Sequence, residues 1–137
     1  MADLRGFTSF SEAHPPEVVL KVLNSYLIEM SRVIVGQGGV VDKFMGDSIM
    51  ALFGSERGGN DEVKRAVVCA VEMQIAMMQL NDKHKDSGMP PVFMGIGINT
   101  GLVMAGKFGS ELYSVFTVVG NEVNLASRIE AVSLRGQ

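Results

Sequence analysis

Apolar residues recur at helical spacing through Val18, Val19, Val22, Leu23, Tyr26, Leu27, Met30 and Val33, which predicts an amphipathic helix. His14-Pro15-Pro16 breaks the chain before it, with Pro16 suited to the first turn, and Gly36-Gln37-Gly38-Gly39 supplies a C-cap and turn after it. A second helix is predicted beyond Gly58-Gly59-Asn60-Asp61, with Asn60 or Asp61 as cap. Val63, Ala66, Val67, Ala70, Val71, Met73, Gln74, Met77, Met78 and Leu80 trace its broad apolar face, while Glu62, Lys64, Arg65 and Glu72 stay outside. The methionines at its end read as adaptable core packing. Lys83 to Met89 is charged, and Pro90-Pro91 closes the helix.

Between the helices the periodicity changes. Val41 to Phe53 is two β-prone runs separated only by Gly46 and Asp47, and glycine at the first position of a two-residue loop is what a type II′ hairpin turn requires. Val92 to Gly101 alternates glycine with isoleucine, so it predicts a strand with one bare face against which a helix or another backbone packs closely. It is no dinucleotide fingerprint, because its glycines miss the required spacing and a strand-like run, Leu102 to Gly106, follows. Tyr113 to Val119 reads as a short strand and Gly120 to Ile129 as a final helix. At the start, Met1 to Leu4 is the end of a strand. Gly6 to Glu12 begins a short helix, with Thr8, Ser11 and Glu12 as its N-terminal polar groups. Strands and helices in this order predict an α+β fold of ferredoxin-like, palm-like type, with a mainly antiparallel sheet covered by helices.

Composition narrows the functional classes. A chain of 137 residues is expected to form a single domain, residues 1–137. Lys+Arg 12 against Asp+Glu 15 leaves a net charge of -3 and no broad basic field for a nucleic-acid backbone. Cys69, the only cysteine, excludes an internal disulfide, fits a reducing, cytoplasmic setting, and sits in an apolar helical pattern as core filler. No apolar run approaches the roughly 20 residues that span a bilayer, so direct membrane insertion is not expected, although a larger membrane or signalling protein could carry such a domain.

The hairpin carries the first candidate chemistry. Asp47 is expected at its tip, and Lys43, alternating with Val41 and Met45, puts an ammonium within reach of a ligand across the hairpin mouth. A turn-forming aspartate and a solvated lysine account for the same residues. A helix N-terminus beside Asp3 would aim N–H groups at a phosphate, or be ordinary capping. Asn124 and Arg128 stand i, i+4 on one face of the last helix, distinct from the Leu125, Ile129, Val132 stripe, and either grip an anion or face solvent.

Four stretches together resemble the class III nucleotidyl cyclase catalytic domain: Ala-Asp-Leu-Arg-Gly-Phe-Thr at 2–8, Lys-Phe-Met-Gly-Asp at 43–47, Gly-Ile-Asn-Thr-Gly at 97–101, and Thr-Val-Val-Gly-Asn-Glu-Val-Asn-Leu-Ala-Ser-Arg at 117–128. The resemblance implies that Asp3 and Asp47, with Leu4 beside them, hold two Mg²⁺ or Mn²⁺. Two carboxylates about 4 Å apart would repel by roughly 4 kcal/mol at an effective dielectric of 20, a cost such ions remove. It implies that Phe7 and Thr8 cradle phosphate, that Lys43 reads adenine N1, and that Thr117 accepts from the adenine amine. Asn124 would orient the ribose, and Arg128 would stabilise charge on the phosphate. It further implies an adenylyl cyclase that makes cyclic AMP and pyrophosphate from ATP in a head-to-tail homodimer, with regulatory domains in the full-length protein. Thr117 marks a branch in which bicarbonate sensitivity is found.

Two departures from the family pattern are evident. Only Met1 and Ala2 precede the first aspartate, so the strand bearing it is expected to be poorly anchored, and a triphosphate-contacting lysine beyond the last motif is missing before Gln137. Both ends are therefore expected to be trimmed. The alternatives are a non-catalytic, nucleotide-binding regulatory domain and, from the family's other branch, a guanylyl cyclase.

Overall fold

In a computed structural model, residues 1–54, 60–86, 88–134 and 136 are described. A four-stranded antiparallel sheet has the order β2-β3-β1-β4, built from β1 (Ala2–Leu4), β2 (Val40–Met45), β3 (Ser48–Leu52) and β4 (Met94–Ile96). Helices α1 (Phe7–Ala13) and α2 (Pro16–Gly36) join β1 to β2, and α3 (Asn60–Asp86) joins β3 to β4. This β-α-β-β-α-β succession with β1 central is the ferredoxin-like arrangement the sequence predicts. Beyond it, β5 (Met104–Gly109) and β6 (Ser114–Val119) form a separate two-stranded hairpin, and α4 (Asn121–Val132) follows.

The sheet's two faces divide the labour. Ala2 pairs with Ile49 and Ile96 and Leu4 with Met94. Ala2, Leu4, Ile49 and Met94 form one buried cluster with Val22, Tyr26, Met30 and Ile34 of α2 and Cys69, Met73 and Met77 of α3. The α2 stripe read from the sequence covers this face. The α3 stripe does so only in part, since Met73, Met77 and Leu80 are buried while Val63, Val67, Val71 and Met78 are exposed. Cys69 is core, its thiol pushed up to about 11, chiefly by burial. Asp3, between Ala2 and Leu4, turns to the opposite face because side chains alternate along a strand.

β1 is short but well held, contrary to the weak anchoring expected of it. Both its neighbours pair with it, Gly97 N–H donates to Met1 O at 2.8 Å, and Arg5 N–H donates to Phe93 O at 2.7 Å. On the Asp3 face the bare glycines of 95 and 97 admit other groups, as their alternation with isoleucine foretold. A Cβ on Gly97 would run into the α4 backbone at Ala126 and Glu130, and one on Gly95 into the Arg5 guanidinium.

The local stops follow their expected causes. Gly38, with φ 73°, turns the chain after α2, and Gly39 N–H closes on Ile34 O at 2.9 Å. The turn through Gly58 and Gly59 lies outside the described residues. The apolar stripe of α4 behaves differently from its prediction. Leu125, Ile129 and Val132 are exposed, and α4 docks instead through Ala126 and Glu130 over Gly97.

Candidate active site

The β2–β3 turn forms as its residues dictate. Met45 pairs with Ser48, Gly46 has φ 65°, and among the described residues no non-glycine has positive φ, Asp47 included, the combination a type II′ turn uses. Asp47 is thereby delivered to Asp3. Ser48 Oγ donates to Asp3 Oδ1, and the Asp47 carboxyl lies near Asp3 and near the backbone N–H groups of Asp47 itself and of Leu4. Burial, then the charge of Asp3, pushes the Asp47 carboxyl above its usual pKa, with the two backbone donors opposing. The Leu4 side chain is core, so its contribution here is through the backbone.

Two carboxylates so placed, one biased toward its proton, fit a divalent cation that would relieve their repulsion, and their oxygens suit Mg²⁺ or Mn²⁺. Among the described residues no group of three or more His, Cys, Asp or Glu gathers to hold a metal. Remaining ligands would come from water and substrate phosphates, the usual case for Mg²⁺.

Beside this pair, α1 begins at Gly6, which is left-handed at φ 73° and caps the helix with no side-chain hydrogen bond. The predicted polar capping by Thr8, Ser11 and Glu12 is not observed: Ser11 Oγ instead donates to Thr8 O at 2.7 Å. The first-turn N–H groups at Phe7 and Thr8 are therefore left without a side-chain acceptor. Phe7 packs against the core, while Thr8 is exposed.

Arg5 ties this end of β1 to α4. Its Nη2 lies 2.6 Å from Ser133 Oγ and 2.6 Å from Glu130 Oε1, and it donates to the Glu130 carbonyl as well. Nη1 is 3.9 Å from Asp3 Oδ2. Burial raises the Glu130 pKa, and the Arg5 guanidinium counters it.

A second cluster forms across β2 and β6. The register between β2 and β3 shifts between Val41 and Lys43, so Asp42 is the extra residue of a β-bulge. The predicted alternation of Val41, Lys43 and Met45 is accordingly broken. The bulge turns Asp42 inward, where Thr117 Oγ1 donates to its Oδ2 at 2.6 Å and Lys43 Nζ lies 3.4 Å from the same oxygen. Lys43 and Thr117, which the family resemblance implies as partners in reading the base, are thus joined by Asp42, a residue not singled out from the sequence. Asn124 and Arg128 stand exposed one turn apart on α4. A cleft of about 530 Å³ lined by Gln37, Glu62, Arg65 and Val68 contains none of these residues.

The profile of the adenylate and guanylate cyclase catalytic domain matches residues 1–137. The chain belongs to this family. This cyclase domain is 40% identical over 139 residues to an adenylate cyclase of Anabaena cylindrica, a match covering 96% of the chain and 26% of that relative. It thus spans about a quarter of that protein's length. Among solved structures, the adenylyl cyclase CyaB from P. aeruginosa superposes with TM-score 0.94 at 38% identity, covering 98% of this chain and 70% of that one. The guanylyl cyclase Cya2 superposes with TM-score 0.93 at 50% identity, covering 99% and 69%.

Arg5, Asp42, Ser48 and Glu130 were not among the residues singled out from the sequence. Asp42 had one visible signal, an acid adjacent to Lys43 inside a β-prone run. Ser48 and Glu130 had none, since their partners are 45 and 125 residues away.

Proposed function

We propose that this domain is an adenylyl cyclase that converts ATP to 3′,5′-cyclic AMP and pyrophosphate. The observation that carries the choice of base is the Lys43–Asp42–Thr117 cluster, which presents an obligate donor beside a hydroxyl, as the N1 and amine of adenine need. Asp3 and Asp47 would hold two divalent cations, which when bound favour loss of the ribose 3′-hydroxyl proton and polarise the α-phosphate. The α1 first-turn N–H groups at Phe7 and Thr8 bind phosphate oxygens, Asn124 orients the ribose, and Arg128 donates to the charge that grows on the phosphate. Preorganised donors of this kind typically contribute about 10²- to 10³-fold in rate each.

Each site is shared between two copies of the chain in a head-to-tail homodimer. The exposed apolar residues Leu125 and Ile129 on α4, and Met104 and Phe116 on the β5–β6 hairpin, support an interface there, next to Asn124 and Arg128. Regulatory domains elsewhere in a longer protein accord with the share of the Anabaena relative that the chain spans. Among the described residues no helix is long and apolar enough to cross a membrane.

The test mixes Asp47→Ala with Arg128→Ala, each inactive alone. Restored cyclic AMP formation is expected, because one site of the heterodimer keeps both groups. An inactive mixture in which heterodimers demonstrably form refutes the shared site. The 50% identity to a guanylyl cyclase favours a second reading, with GTP as substrate, and a higher kcat/KM for GTP than for ATP would establish it.

A further inference from the structure

The Thr117 hydroxyl has one proton to give and two lone pairs to accept with. Unrestrained, it would serve an amine or a carbonyl equally, and could not distinguish the amine of adenine from the O6 of guanine. In this fold the proton is already committed. Thr117 Oγ1 donates to Asp42 Oδ2 at 2.6 Å, in a place where Thr117 is 7% exposed and the Asp42 side chain 5% exposed, so water does not compete for that bond. A carboxylate only accepts, which fixes the direction of the bond. The same oxygen holds Lys43 Nζ at 3.4 Å, leaving the other ammonium protons free.

We propose that Asp42 is a specificity-determining residue of this cyclase domain: by taking the Thr117 proton it leaves that hydroxyl acceptor-only toward the substrate, so that Lys43 and Thr117 together match a base with an acceptor ring nitrogen beside an exocyclic amine and reject one with a ring N–H beside a carbonyl. The inference rests on the reading of Lys43 and Thr117 as the base-recognition pair. Asp42 touches neither the substrate nor the reacting atoms and acts through Thr117, so it is a positioning residue. The β-bulge is what makes this possible, because without the extra residue Asp42 and Lys43 would point to opposite faces of β2.

The test is Asp42→Asn, a near-isosteric change that offers Thr117 an amide able to donate and so releases the hydroxyl proton toward the base. Turnover of ATP and of GTP is measured on the full chain, and in parallel the affinity for each nucleotide by displacement of a fluorescent nucleotide. The ATP-to-GTP ratio of kcat/KM is expected to fall by roughly tenfold, the scale of one mismatched buried hydrogen bond, with the affinity ratio moving the same way. In a Thr117→Val background most of that change should vanish. A merely structural Asp42 would depress both nucleotides equally and leave the ratio where it was, which overturns the proposal while the cyclase reading stands. An undiminished shift in the Thr117→Val background overturns the route through Thr117. If the wild-type chain forms no cyclic nucleotide, the cyclase reading fails, and the affinity ratio alone decides: a fall on Asp42→Asn supports the role of Asp42, and a constant ratio overturns it. Asp42→Ala, which removes the acceptor without adding a donor, is the second variant should the asparagine variant not fold.

Discussion

Gly97→Ala adds a single methyl group at the place where β4 meets α4. Its Cβ would stand 2.7 Å from Glu130 Cβ, and closer still to the Ala126 carbonyl oxygen and the Glu130 backbone nitrogen, whereas ordinary contact begins at 3.4 Å. The obstacles are helix backbone, which cannot rotate aside as a side chain does, so α4 must withdraw as a body by at least about 0.7 Å. That withdrawal pulls at the Arg5 contacts to Glu130 and Ser133 and at Asn99, whose Nδ2 donates to Glu122 Oε2 at 2.6 Å. Overpacking of this kind costs about 1–3 kcal/mol, and at roughly 4 °C per kcal/mol for a domain of this size Tm should fall by about 4–12 °C. The larger effect is expected in catalysis. Asn124 and Arg128 ride on α4, and a misplacement near 1 Å costs on the order of 10²-fold in rate. Thermal unfolding by circular dichroism and kcat with saturating Mn²⁺-ATP are the two measurements. A variant with wild-type Tm and wild-type kcat would refute the close approach of α4 to β4. A lowered Tm with unchanged kcat would refute the dependence of catalysis on where α4 sits.

Arg5→Ala leaves the largely buried Glu130 carboxylate without its cation and removes the donor to its carbonyl and to Ser133. A loss of about 3 kcal/mol is expected from equilibrium urea unfolding, and Arg5→Ala combined with Glu130→Gln should recover part of it, because the uncompensated charge is then gone. His84 of α3 is buried, and its pKa is lowered below 6.5 first by burial and then by the ammonium of Lys21 on α2. Protonation therefore favours the unfolded chain, and the His84 contribution to stability is present above pH 6.5 and lost as pH falls through that value and below. Melting curves taken between about pH 7.5 and 5.5 should show a steeper acid-side fall for the wild type than for His84→Gln, and equal slopes would count against this assignment.

Much of this was settled by residue order alone, for reasons that act over a few residues. The 3.6-residue period of α2 and α3, the Gly46-Asp47 turn and the bare alternation of Gly95 and Gly97 each predicted the element or close approach that forms. The four motifs named the family before any geometry. Tertiary structure decided what lies opposite each of these features. Periodicity marks a face as apolar but cannot say what covers it, so the Leu125, Ile129, Val132 stripe pointed to a core that α4 does not join. A three-residue β1 looked weak as a segment and is firm because strands on both sides pair with it. The bulge at Asp42 has no mark of its own in the sequence, because it is a mismatch of register between two strands. Only once β2 and β6 lie together does a carboxylate meet a hydroxyl 75 residues away, and with that single bond a threonine able to read either base becomes, by our reading, one that reads adenine.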